Sequence, residues 1–101
     1  MVEVTFRTRK LELQYRVSDQ AIRAYGTQVG RRYIGRINII KQTKDIDELM
    51  NLPALKCHSL KGNRVGQYAI KLTGFYRLIF TLKGDLLEIV HIEEVSKHYG
   101  D

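Results

Sequence analysis

Apolar and polar residues alternate at the start of the chain. In VEVTFRT, Val2, Val4 and Phe6 fall on one side, which predicts a β-strand. RKLELQYRV fits neither period cleanly and reads as a short helix or an irregular segment. The period then changes. Ile22, Tyr25, Val29, Tyr33, Ile37 and Ile40 recur at intervals of three and four, the stripe of one long helix over about residues 19–42 with Ser18 as its N-cap. Gly26, Gly30 and Gly35 weaken that helix, or permit close packing. Asp45 and Glu48 have the spacing of a capping box for a short helix, DIDELMNL, which Pro53 closes. Strands are expected at about 66–73, 75–82 and 86–95, separated by the turn signals TGF and KGD, with a short strand near 55–60. A strand, then helices, then an antiparallel meander make an α+β pattern, with the helices packed on one face of a small sheet.

Register adds a detail. Tyr68, Ile70 and Leu72 share one face of their strand, and Tyr76, Leu78, Phe80 and Leu82 share one face of the next. Both apolar sets must meet the helices. A two-residue loop would put them on opposite sides, whereas the loop Thr73-Gly74-Phe75 pairs Leu72 with Tyr76 and keeps them together. Lys71 then lies directly across from Arg77, on the face away from the helices. Like charges so placed repel, at a cost under about 1 kcal/mol. A phosphate between them turns the repulsion into two charge-assisted contacts.

Charge sharpens the picture. The 101 residues fit one domain, 1–101, and carry a net charge of +6. No acid occurs from residue 49 to 84, a window that holds Lys56, Lys61, Arg64, Lys71, Arg77 and Lys83. A solvated basic surface would explain the total, but an opposed pair of cations with no acid in its window fits a polyanionic partner better. The single cysteine, Cys57, forms no internal disulfide and reads as a buried, inert thiol. No long apolar run or secretory leader is visible, so a cytoplasmic protein without membrane contact is expected.

At LKGNRVGQYAIKLTGFYRLIF the chain resembles the signature hairpin of the RelE/ParE toxin superfamily, in its HigB-like branch. The matching positions are Leu60, Lys61, Gly62, Arg64, Gly66, Tyr68, Tyr76, Arg77 and Leu78. TKDIDELMNLPALKCHSLKG is similar to the family's helix and connector, including His58 three residues before Lys61. The tail IEEVSKHYGD is similar to its C-terminal ending. The likeness runs from about residue 44 to the end; over residues 1–43 only the strand-then-helix layout fits. Asn63 stands where the family often has Asp, and the C-terminus is less basic than in RelE members.

The resemblance implies a type II toxin with a small twisted antiparallel sheet, similar to microbial ribonucleases. It implies cleavage of mRNA on the ribosome, without a cofactor, and control by an antitoxin of helix-turn-helix type. ParE-type members share the fold and poison DNA gyrase instead, and a non-catalytic interaction domain is a further alternative. Cleavage by 2′-hydroxyl attack needs a proton acceptor, positive charge on the phosphate and a proton donor, and no metal. Lys71 and Arg77 are the candidate phosphate clamp, with Lys61 and Arg64 on the RNA backbone. His98 falls on the branch's C-terminal catalytic position and is the first choice for proton transfer, although a histidine near a terminus is commonly just exposed. Tyr99 would stack on a base or donate a proton, and His58 is the second proton-transfer candidate. His91 reaches the same face only if its strand pairs near Arg77. Tyr68 and Tyr76 read as core, and the acid pair in IEEV as a solvated edge.

Overall fold

A computed structural model describes residues 2–97 of the chain. These form β1 (Glu3–Phe6), α1 (Arg9–Arg16), α2 (Ser18–Tyr25), α3 (Thr27–Gln42), α4 (Ile46–Met50), β2 (His58–Ser59), β3 (Gln67–Lys71), β4 (Tyr76–Lys83) and β5 (Ile89–Lys97). Short 3-10 turns at Pro53–Leu55 and Gly62–Arg64 flank β2.

The ambiguous RKLELQYRV is a helix. The Thr8 hydroxyl accepts the Leu11 amide at 3.1 Å, capping α1, and Leu11 and Gln14 turn inward. Buried Gln14 is satisfied by the Tyr25 hydroxyl, which donates to its Oε1 at 2.5 Å. The long helix expected over 19–42 is instead two helices, α2 and α3. Gly26, at φ +88°, breaks it, because that backbone state cannot continue a helix. Ser18 is the first residue of α2 rather than its cap; Val17 holds the cap position and makes no side-chain bond. Gly30 has the opposite task. A Cβ there would lie 2.9 Å from the Ala21 carbonyl carbon and 2.9 Å from the Ile22 nitrogen, so α2 and α3 meet backbone against backbone. The capping box of α4 forms in a shifted version: Asp45 accepts the Glu48 amide at 2.9 Å, while Glu48 accepts the amide of Lys44, one residue before the cap, at 3.0 Å.

The described strands form one sheet in the order β1-β5-β4-β3-β2. The C-terminal meander β3–β4–β5 is antiparallel. β1 joins it in parallel with β5, from Glu3 opposite Ile89 to Phe6 opposite Ile92. The intervening helices provide the crossover that a parallel pair requires. Tyr33, Ile37 and Ile40 of α3 pack with Leu49 and Leu55 against Ile70, Leu72, Leu78, Phe80, Val90 and Ile92 of the sheet. Tyr68 is half-buried and stacks on Phe80, with ring centroids 5.4 Å apart, so the expected helix-facing set holds. The sheet therefore has an inner, helix-covered face and an outer face. No helix among the described residues is long and apolar enough to cross a membrane.

Candidate functional site

The outer face is built in rows across the strands. At the hairpin end, Lys71 stands opposite Arg77, and Arg77 opposite Ser96. Leu72 N–H donates to Tyr76 C=O at 3.0 Å, so the adjacent 71–77 pair is of the non-hydrogen-bonded kind, in which side chains come closest. The next row is His58, Ala69, Ile79 and Glu94. The one after it is Gln67, Thr81, His91 and Thr5.

The hairpin end gathers more cations than the sequence discloses. Arg77 donates from Nη1 to the Thr73 and Tyr76 carbonyls at 2.7 and 3.1 Å. From α3, Arg32 donates to the Leu72 carbonyl at 3.0 Å and Arg36 to the Lys71 carbonyl at 3.2 Å. Burial, and then the neighbouring Arg32, push the Arg36 pKa down. Residues 20–44 are also free of acid. Two acid-free windows thus meet at this hairpin, a convergence that only the fold of α3 onto β3 creates.

Arg64 departs from expectation. The acid-free window predicts no intramolecular partner for it, yet its Nη2 lies 2.8 Å from Glu94 Oε2 and its Nε donates to Gln67 Oε1 at 2.8 Å. The guanidinium lies between a β3 and a β5 side chain and so spans the width of β4. The acid comes from β5, distant in sequence but two strands away in the sheet.

The pair in IEEV is not a solvated edge. β5 lies between β1 and β4, and the register shifts at Ile79/Phe80, where Ile79 faces Glu94 and Phe80 faces Ile92. Glu93 is the extra residue of this β-bulge. The bulge brings Glu93 to the same face as Glu94. Thr81 donates to Glu93 Oε2 at 2.8 Å, and the Arg7 Nε lies 3.7 Å from Oε1. His91 stands opposite Thr81, on Arg77's face but four residues along β4. Its Nδ1 is 2.7 Å from Thr5 Oγ1, and its Nε2 is 3.9 Å from Glu93. Burial lowers the His91 pKa, with Lys83 and Arg7 adding to the effect and Glu93 opposing it.

Of the other candidates, His58 is exposed on the outer face, with Nδ1 2.9 Å from the Lys56 carbonyl oxygen. Lys61 is exposed in the loop before β3. His98 and Tyr99 lie outside the described residues. Cys57 is half-buried, its thiol pushed up to about 11 by burial, with Sγ 3.3 Å from Met50 Sδ. Among the described residues no three His, Cys, Asp or Glu side chains are grouped to hold a metal ion.

No family model and no curated protein matches the chain. Solved structures do. The YoeB–YefM complex from Staphylococcus aureus superposes with a TM-score of 0.61 at 18% identity, over 98% of this chain and 99% of that one. The YoeB/ParE toxin from Agrobacterium tumefaciens gives 0.57 at 17%, over 96% and 99%. The E. coli DinJ–YafQ toxin–antitoxin complex gives 0.57 at 13%, over 96% and 92%. The chain shares the α+β fold of RelE-like toxins, and its structural neighbours are YoeB-, YafQ- and ParE-type members of that superfamily.

Proposed function

We propose that this chain is the toxin of a type II toxin–antitoxin pair, of HigB-like type, and that it cleaves mRNA on the ribosome. The observation that carries the reading is the opposition of Lys71 and Arg77 on the outer face of the sheet. The shared fold of YoeB- and YafQ-type toxins supports it. Lys71 and Arg77 hold the scissile phosphate and stabilise the charge that grows on it. Lys61 and Arg64 hold the flanking backbone. His98 moves a proton, with Tyr99 stacking on a base or donating a proton, and His58 is the second proton-transfer group. A cognate antitoxin, as YefM and DinJ are for the neighbours they accompany, covers this face when toxicity is held in check. The site of action is the cytoplasm.

The test is single-turnover cleavage of mRNA on programmed ribosomes. Arg77→Ala should slow it on the order of a hundredfold or more. His98→Gln should slow it roughly 10²–10⁴-fold with ribosome binding retained. Induction of the chain alone should arrest bacterial growth. Inhibition of gyrase with no cleavage would replace this reading with the ParE-type one.

A further inference from the structure

We propose that Glu94 is the carboxylate that accepts the 2′-hydroxyl proton, and that Arg64 latches it shut until an RNA phosphate draws the guanidinium away. This rests on the nuclease reading above.

The geometry carries it in three ways. Glu94 faces Ile79 while Arg77 faces Ser96, so Glu94 and Arg77 are diagonal neighbours across β4 and β5, about 7–8 Å apart at the backbone. The Arg77 guanidinium is turned to the Thr73 and Tyr76 carbonyls, and a phosphate that draws it onto the outer face brings its ribose toward the Glu94 carboxylate. Second, Ala69 and Ile79 are 2% and 0% exposed although they stand outside the cluster that the described helices cover. Side chains must shade them, and Arg64, stretched from Gln67 to Glu94, runs across this part of the face. Withdrawing Arg64 uncovers an apolar floor suited to a nucleotide base. Third, the Arg64–Glu94 pair is partly open to solvent, with side chains 33% and 44% exposed. Ion pairs of that kind are weak and exchange readily for a phosphate, to which arginine binds through two parallel hydrogen bonds.

The step balances. The carboxylate of Glu94 takes the 2′-hydroxyl proton as the 2′-oxygen bonds to phosphorus. The bond from phosphorus to the 5′-oxygen breaks, and that oxygen takes a proton from His98, the proton-transfer group of the proposed function, or from water. The products are a 2′,3′-cyclic phosphate and a 5′-hydroxyl, with no oxidant or co-reactant. Arg64, freed from Glu94, holds a flanking phosphate meanwhile.

The experiment uses the full chain, programmed ribosomes, cleavable mRNA and the same mRNA with a 2′-deoxy nucleotide at the cleavage site as a binding probe. Glu94→Gln should slow single-turnover cleavage about 10²–10⁴-fold. It should also bind the 2′-deoxy probe more tightly, because Arg64 no longer has a competing carboxylate. Arg64→Gln should weaken probe binding and lower the slope of log K against log salt by about one. The double variant Arg64→Gln/Glu94→Gln decides between chemistry and scaffolding. It should stay slow if Glu94 is the base. Recovery of the rate in the double variant would make the pair merely structural and overturn the proposal, as would wild-type rates for Glu94→Gln. Should Glu94→Gln not fold, the double variant, which leaves no unpaired charge, carries the test. A wild type that cleaves nothing would overturn the nuclease reading and this one together, whereas a cleaving wild type with an indifferent Glu94 would overturn this one alone.

Discussion

Ile79 and Phe80 are consecutive residues of β4, and both are fully buried, but by different means. Phe80 lies under the helices, in a core of aliphatic and aromatic side chains. Ile79 faces the other way, in a row with Ala69 and Glu94, where the neighbouring cover is polar and charged. The inner face excludes water with groups that have no other use. The outer face carries Arg64, Glu94, Glu93, Thr81 and His91, each held by hydrogen bonds that a ligand could replace. Under the proposed function, stability and binding fall on opposite sides of one strand, and substitutions should separate them.

The largest effect should come from the inner face. Phe80→Ala should cost about 3–5 kcal/mol, read as a lower midpoint in urea unfolding. Gly30→Ala should cost about 1–3 kcal/mol despite alanine's better helix propensity, because its Cβ meets the α2 backbone rather than a yielding side chain. A neutral result would show that α2 and α3 slide apart freely. Lys71→Ala should keep the fold and raise the melting temperature slightly, by removing a cross-strand repulsion worth under about 1 kcal/mol, while cleavage falls. A marked loss of stability would erase the contrast between the faces.

The smallest effect concerns His91, whose folded pKa is depressed. The sign follows from linkage. Above the unfolded value of about 6.5 the ring is neutral in both states, and no stability depends on it. As pH falls through that value the unfolded chain takes up the proton first, so stability is lost until the folded pKa is passed. His91→Gln should therefore flatten the pH dependence of unfolding just below about 6.5 relative to wild type. An unchanged curve would mean that burial and the charges of Lys83 and Arg7 do not hold the ring neutral.

The register of β3 on β4 was legible because two apolar sets had to face the same helices, and only one loop length allows that. The same reasoning could not reach Arg64, since its partner arrives from β5 through a bulge that no local pattern marks. IEEV looks like a solvated edge because strand order is a property of the whole sheet, and β5 becomes interior only when β1 docks beside it. The break at Gly26 is a matter of degree. A helix tolerates glycine at modest cost, and Gly35 sits in α3 without interrupting it. Arg32 and Arg36 go unmarked in the sequence because nothing in α3 itself says that β3 ends beneath them. His98 and Tyr99, which came from family likeness, fall outside the described residues and stay as proposals.

The parallel pairing of β1 with β5 joins the first strand of the chain to the last across 86 residues of sequence, the separation of Thr5 and His91. Such a contact is among the slowest to form, because the whole intervening chain must be ordered before it is rewarded. Glu93, Glu94 and His91 all belong to β5, so their part of the outer face is assembled only when β5 is inserted between β1 and β4. Under the proposed function, the site is therefore completed in two stages, the β3–β4 hairpin with Lys71 and Arg77 first and the β5 groups after it.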